Sequence, residues 1–179
     1  SSKPAFNKCL SVICDPVYCD TPVYINEMVN KHKPSSAIST ARVNFLAHLL
    51  DNGAEENLGF EDGKFPPEKT IYLTLLRNTG IHRRMGREYL LGEPRVESFM
   101  PLWNVCEAFL DSTKEKPRKL GELIKILRSR PFKLKQGVID LWLPTFLIIK
   151  KNDYSLYNDA GIYIHTITRE VLDIMQKSP

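Results

Sequence analysis

The sequence predicts a mainly α-helical fold, with a helical bundle followed by a winged-helix-like unit that carries one β-hairpin. Apolar residues recur at spacings of three and four through most of the 179 residues, which is typical of amphipathic helices. Prolines and small polar residues stand where such helices begin. Near the C-terminus, two short β-prone stretches flank turn-forming residues, which predicts the hairpin.

The first half of the chain contains the bundle. Phe6, Leu10, Ile13 and Val17 share one face of a first helix over 5–18, and Asp15-Pro16 disturbs its end. Four more helices are expected before the linker. The first covers 23–31 after Thr21-Pro22, and the second runs from a cap at Ser35 or Ser36 to Asp51. The third runs from Pro66 to about Asn78, and the fourth covers about 95–112, with a kink or a later start near Met100 because of Pro101. Gly53 is free to take the left-handed conformation. Residues 54–65 are predicted to be a loop and 82–94 to be irregular.

The charged linker Lys114–Lys119 contains Pro117 and is the best candidate boundary. It divides the chain into a helical domain over 1–113 and a winged-helix-like domain over 117–179, or the two form one continuous domain. The second part is expected to contain a helix from Leu120 that ends before Pro131, an apolar helix over 137–150 with Pro144, strands over 154–157 and 162–167 around the turn 158–161, and a last helix capped by Thr168 with Val171, Leu172 and Met175 on one face.

The sequence offers no recognisable catalytic, cofactor-binding or metal-binding motif. Its nine glycines are scattered, and the phosphate-binding glycine loops, HExxH and GxSxG are lacking. The spacing of Cys9, Cys14, Cys19 and Cys106 fits no zinc signature, so we expect reduced thiols. The chain is therefore predicted not to be an enzyme and to need no cofactor. An unrecognised enzyme would require a pocket that gathers further polar groups around Glu27, His48 or His82, although His48 is better interpreted as a partly buried structural residue.

Basic residues cluster in the sequence, and the net charge is +4. Such clusters neutralise phosphates in nucleic-acid complexes. The candidate nucleic-acid contacts are Arg83, Arg84, Arg87, Arg128, Arg130, Lys133 and Lys135. Against this, a winged helix that reads DNA presents a polar helix to the groove, whereas residues 138–143 are almost all apolar. The alternative is a solvated basic rim.

Phe132, Trp142 and Phe146 are candidate protein contacts if part of the apolar helix is uncovered. Ordinary core packing is the favoured alternative. Asn26 and Glu27 are candidates for a polar contact site. The favoured alternative is that both side chains form hydrogen bonds that brace the neighbouring turn 34–36.

No apolar run is long enough to span a bilayer, because Val138–Ile149 is interrupted by polar residues and proline. Residues 1–20 lack a signal-peptide pattern, so we expect a cytoplasmic protein. The chain starts Ser-Ser-Lys-Pro without an initiator Met, and we interpret it as a piece of a longer polypeptide.

Several short strings in order resemble a known family. They are Thr21–Asn30, Pro34–Ala37 with Ala41-Arg42, Phe65–Glu68 with Ile71-Tyr72, Thr79–His82, Arg130–Phe132 and Gly137–Ile139. Together they resemble the region C-terminal to the P-loop module in very large bacterial ATPases (AAA/STAND-type) found near phage-defence or restriction genes. The resemblance covers about residues 9–175 and implies that the ATPase motor lies upstream.

The function expected from this resemblance is that of a non-catalytic accessory or coupling region. It would act through protein–protein contacts with the remainder of its own chain or with another protein. The alternative is a DNA-binding winged-helix-like module that uses the basic clusters and the hairpin.

Overall fold

The computed structural model describes residues 3–14, 17–24, 26 and 35–172, and over them the chain is mainly helical. The α-helices are α1 (Lys3–Cys14), α2 (Ser36–Asp51), α3 (Pro67–Tyr72), α4 (Met100–Ser112), α5 (Leu120–Arg128) and α6 (Gln136–Ile149), and a π-helical segment, Leu73–Arg77, follows α3. Two antiparallel pairs join β1 (His82–Met85) to β2 (Glu88–Leu91) and β3 (Leu156–Tyr157) to β4 (Tyr163–Ile164). The predicted mainly α fold with a C-terminal β-hairpin is confirmed.

Helix α6 lies at the centre of the core. Every residue from Leu141 to Ile148 is buried, and Trp142 and Phe146 have no exposed surface. A helix that is apolar on all sides needs covering elements on all sides, and α6 packs against α2 and α5. Pro144 lies within the helix without ending it.

Aromatic rings connect α6 to the start of α4. The Trp103 ring meets Trp142 edge-on at a centroid distance of 6.3 Å and Phe146 at 5.1 Å, and Phe99 lies 5.9 Å from Trp142. Trp142 Nε1 also donates a hydrogen bond to Cys106 Sγ at 3.4 Å. Edge-to-face pairs of this kind add to the hydrophobic stabilisation of the core.

A single hydrophobic core includes buried side chains from both sides of the linker 114–119. An ion pair also crosses it, because Arg42 on α2 donates to Asp140 on α6 at 2.6 Å. The division into two domains stays a prediction. The shared core and the ion pair show that the parts before and after the linker pack against each other.

Local chemistry explains where α2 and α4 begin. Ser35 caps α2 and its hydroxyl accepts a hydrogen bond from Ile38 N at 3.4 Å. Helix α4 starts at Met100 with Pro101 in its first turn, where a missing N–H costs nothing. Both starts agree with the sequence-based expectation.

The prediction for Gly53 is wrong. Helix α2 ends at Asn52 with φ −124°, and Gly53 does not have a positive φ. A Cβ at Gly53 would lie 3.0 Å from Leu49 O and 3.1 Å from Leu91 Cδ1. Any larger residue would bring its Cβ too close to the Leu49 carbonyl and to Leu91 of strand β2, so glycine is favoured at this position.

The prediction that residues 82–94 are irregular is also wrong, because they form the β1–β2 hairpin. His82 pairs with Leu91 and Met85 with Glu88. Gly86 has φ 66° and is the first of the two turn residues, a position that favours glycine in tight hairpins.

The C-terminal hairpin has the predicted turn but shorter strands. Gly161 N donates to Asn158 O at 2.9 Å, and Asn158 Oδ1 accepts from Ile162 N at 2.8 Å. Thr168 Oγ1 accepts from Val171 N at 3.4 Å and so begins the last helical turn. Met175 and most of the predicted helix 23–31 lie outside the described residues.

Within the described part of the chain, no helix combines the length and apolar character needed to cross a membrane.

The burial of α2 on one face predicts that two substitutions on this helix change the free energy of unfolding by different amounts. Phe45 is fully buried and Val43 is 43% exposed. We expect Phe45→Ala to lower the free energy of unfolding by about 3–5 kcal/mol because it leaves a cavity. Val43→Ala should change it by less than about 0.5 kcal/mol. Urea titrations followed by circular dichroism measure both, and equal effects would contradict the packing described for α2.

Candidate nucleic-acid interface

Rings from four separate segments contact one another in series beneath the β1–β2 hairpin. His48 stacks on Phe60 at a centroid distance of 4.1 Å, and Phe60 lies 5.9 Å from Tyr72. Tyr72 lies 5.6 Å from His82, which lies 5.3 Å from Tyr89. We call these five residues the ring row. It places His48 and His82, the two histidines weighed as candidate bases, in one cluster.

Hydrogen bonds fix the ring row to the turn Glu56–Gly59. His48 Nδ1 lies 3.0 Å from Leu58 O, and Tyr89 OH donates to Glu56 Oε1 at 2.6 Å. The turn places Asn57 and Leu58 at φ values of 53° and 51°, a left-handed conformation that costs free energy in non-glycine residues. These side-chain contacts stabilise that turn.

The polar groups in the middle of the row are buried and neutral. Tyr72 OH lies 3.0 Å from His82 Nδ1, and the two side chains are 1% and 3% exposed. Burial raises the pKa of Tyr72 to about 12. It lowers the pKa of His82. Groups shielded in this way stabilise the hairpin and are poorly placed for acid–base chemistry on an external substrate.

The cysteines and carboxylates give no alternative chemical site. Burial raises the pKa of the Cys106 thiol to about 12, which makes it unreactive. Cys14 and Cys19 are exposed and unpaired, while the Cys9 side chain lies outside the described residues. Across the described ranges, no group of three or more His, Cys, Asp or Glu side chains could hold a metal ion.

Two of the three cations of the β1–β2 hairpin have local partners. Arg83 NH1 donates to Gly80 O at 2.8 Å and to Glu93 O at 2.9 Å. Arg84 Nε donates to Gly86 O at 3.0 Å, whereas Arg87 is exposed. Arg83 therefore braces the hairpin, and of these three candidates only Arg84 and Arg87 present an exposed charge.

A group of cations without carboxylate partners covers the last turn of α5 and the loop that leads to α6. Five cations lie within eleven residues that contain no Asp or Glu, and all five side chains are exposed: Lys125, Arg128, Arg130, Lys133 and Lys135. We call them the basic ridge. None of the five side chains makes an ion pair or a hydrogen bond with any residue that the structure describes.

Among the described residues, six cations outside the ridge are paired with carboxylates, whereas Arg87, Lys116 and Lys151 are exposed and make no ion pair. Ion pairs join Lys64 to Glu61, Lys114 to Asp111 and Arg118 to Glu122, and others hold Arg42, Lys150 and Arg169. The ridge therefore concentrates unneutralised positive charge at one place. Four of the seven candidate nucleic-acid contacts belong to it: Arg128, Arg130, Lys133 and Lys135.

Buried residues between the cations fix the loop of the ridge. Phe132 and Leu134 are 5% and 7% exposed, and Leu134 N donates to Leu127 O at 2.9 Å. Lys133 N donates to Ser129 O at 2.8 Å, and Lys133 has φ 51°. Because buried residues alternate with the cations, the backbone of the loop is fixed and the cationic side chains are exposed.

The candidate protein contacts are in the core. Phe132 is 5% exposed, and Trp142 and Phe146 are 0% exposed. The structure thus agrees with core packing, which was the alternative interpretation. None of the three offers an accessible apolar surface in this fold.

Asn26 makes a contact that the sequence did not indicate. Its Nδ2 donates to Thr74 Oγ1 at 3.1 Å and to Tyr24 OH at 3.4 Å, so it braces the helical segment after α3, and the expected brace of the turn 34–36 stays a prediction. Glu27 lies outside the described residues.

No protein-family model, curated protein or solved structure gives a significant match to this chain.

The ring row predicts a pH dependence of stability. A histidine titrates near pH 6.5 in an unfolded chain, and burial lowers the pKa of His82 in the folded state. The unfolded state then binds more protons below about pH 6.5, so the stability is complete above that pH and falls as the pH decreases through it. We expect the urea midpoint to be lower at pH 5 than at pH 7.

The matched comparison uses two histidines. His82→Gln should reduce this difference between pH 5 and pH 7, whereas His165→Gln, at an exposed position, should preserve it. An unchanged pH response in His82→Gln would show that His82 does not carry the effect.

Proposed function

We propose that this chain is a non-catalytic accessory module that binds nucleic acid through the basic ridge. The observation that supports it is the set of five exposed, unpaired cations on the last turn of α5 and in the loop that follows it. This was the alternative function weighed from the sequence. The protein-contact function lost its candidate surface when Phe132, Trp142 and Phe146 were found in the core.

The charge distribution favours an anionic partner. Five like charges in eleven residues repel one another, and that repulsion destabilises the free protein slightly. Phosphates relieve the repulsion, and each phosphate neutralised also releases condensed counterions. A cation already paired with a carboxylate gains less, because it must first give up its partner.

The ridge is suited to phosphates more than to bases. Two uncharged polar side chains lie beside it, and both have partners: Ser129 Oγ donates to Lys125 O at 2.7 Å, and Gln136 donates to Asp140 at 2.7 Å. The ring of Phe132 is buried and cannot stack on a base. Phosphate contacts carry no sequence information by themselves, so we propose sequence-independent binding with a preference for the more highly charged duplex over single strands.

Helix α6 does not enter a groove in this proposal. In helix-turn-helix and related proteins the reading helix exposes polar side chains to base edges, whereas α6 is buried without a break from Leu141 to Ile148. The module would bind along the duplex backbone with the loop 129–135 and the exposed side of α5.

The cellular setting is proposed from the sequence resemblance alone. We propose that the module serves a large bacterial ATPase associated with phage defence, in the cytoplasm, and couples the motor to nucleic acid. Contacts with the remainder of its own chain or with another protein are a second proposed role. The exposed Tyr157, Ile162 and Tyr163 of the β3–β4 hairpin favour that role.

The proposal predicts that ridge charges matter more for binding than an equal number of charges elsewhere. Fluorescence anisotropy with a labelled duplex of mixed sequence at low salt should give salt-sensitive, micromolar-range binding of the unaltered chain. The ridge variant Arg128→Gln, Arg130→Gln, Lys133→Gln, Lys135→Gln should bind at least about tenfold more weakly, a loss of about 1.4 kcal/mol.

The control variant removes the same number of charges at other positions: Lys64→Gln, Arg84→Gln, Arg87→Gln and Lys114→Gln. It should bind within about threefold of the unaltered chain, or about 0.7 kcal/mol. Equal losses in the two variants would mean that only net charge matters, and a complete lack of binding at low salt would exclude the proposed function.

A further inference from the structure

The segment 17–24 contacts the loop of the ridge from the side of the protein body. Thr21 Oγ1 donates to Phe132 O at 2.5 Å and lies 3.3 Å from Pro131 O. A hydroxyl has one proton, so the shorter contact to Phe132 O is the main hydrogen bond. These residues are 111 positions apart in the chain.

A second contact holds the same segment independently of the ridge. Tyr24 OH lies 3.3 Å from Thr74 Oγ1, and the Tyr24 ring meets Phe99 edge-on at a centroid distance of 6.3 Å. Pro22, between the two contact points, is buried. The hydroxyl of Thr21 is thus presented from a backbone that the core already fixes.

The carbonyl that accepts the hydrogen bond from Thr21 lies next to the residue with left-handed backbone in the loop. The Phe132 carbonyl belongs to the peptide that precedes Lys133, and Lys133 has the left-handed φ of 51°. A hydrogen bond to this carbonyl restrains the plane of that peptide, and with it the direction in which the Lys133 side chain leaves the backbone. Arg130 lies just before the two carbonyls that Thr21 contacts.

We infer that Thr21 is a positioning residue for nucleic-acid binding. Its hydroxyl holds the turn from Arg130 to Lys133 so that several ridge cations reach phosphates at the same time. The gain is one of preorganisation, because a loop ordered before binding loses less conformational entropy when the phosphates bind. This inference rests on the proposed function of the ridge.

The test compares two substitutions at Thr21. Thr21→Val keeps the shape of the side chain and removes the hydroxyl, whereas Thr21→Ser keeps the hydroxyl. Duplex binding is measured by anisotropy over a range of salt concentrations, well below the melting temperature of each variant. We expect Thr21→Val to bind about three- to tenfold more weakly, with a smaller slope of log Kd against log salt because fewer phosphates are neutralised together. Thr21→Ser should bind as the unaltered chain does.

The salt slope separates positioning from a purely structural role. If Thr21 only stabilised the fold, Thr21→Val would lower the melting temperature and leave both the affinity and the slope of the folded protein unchanged, which would overturn the inference. Failure of Thr21→Ser to restore binding would overturn it as well. A lack of duplex binding by the unaltered chain would instead overturn the proposed function, and this inference with it.

Discussion

Burial of helix α6 on every side is the constraint on which the rest of the structure depends. Its run from Leu141 to Ile148 leaves no face for solvent, so neighbouring helices must cover it, and the rings of Trp103 and Phe99 fill the space around Trp142. A helix used in this way cannot also read a DNA groove. The nucleic-acid contact that we propose therefore lies on the loop before the helix and on the end of α5.

Two ion pairs between distant parts of the chain follow from the same packing. Arg42 and Asp140 meet because α2 lies on α6, and Lys150 at the end of α6 reaches Glu107 at 2.9 Å and Asp153 at 2.8 Å. The loop 129–135 projects from the opposite end of α6, with its apolar residues buried and no carboxylate within it. The basic ridge thus keeps five exposed cations that have no carboxylate partner among the described residues.

Features set by neighbouring residues could be predicted from the sequence, and features set by distant contacts could not. The Ser35 cap, the start of α4 at Met100 and the turn 158–161 depend on local backbone chemistry, and all three were predicted correctly. The β1–β2 hairpin was missed, although Gly86 was a usable turn signal between the two strands. The clusters of basic residues were visible in the sequence, but the partners that distinguish Arg83 from Arg128 were not. The contact of Thr21 with Phe132 joins residues too far apart for any sequence pattern to indicate.

The most direct test of the account is a map of the nucleic-acid contact on the protein, obtained by following backbone amide chemical shifts during titration with a duplex of mixed sequence. The account predicts that the largest changes fall between Lys125 and Gln136 and extend to Thr21, while the buried centre of α6 and the β1–β2 hairpin change little. Changes centred on residues 82–91 or on the β3–β4 hairpin would contradict the basic ridge as the binding surface.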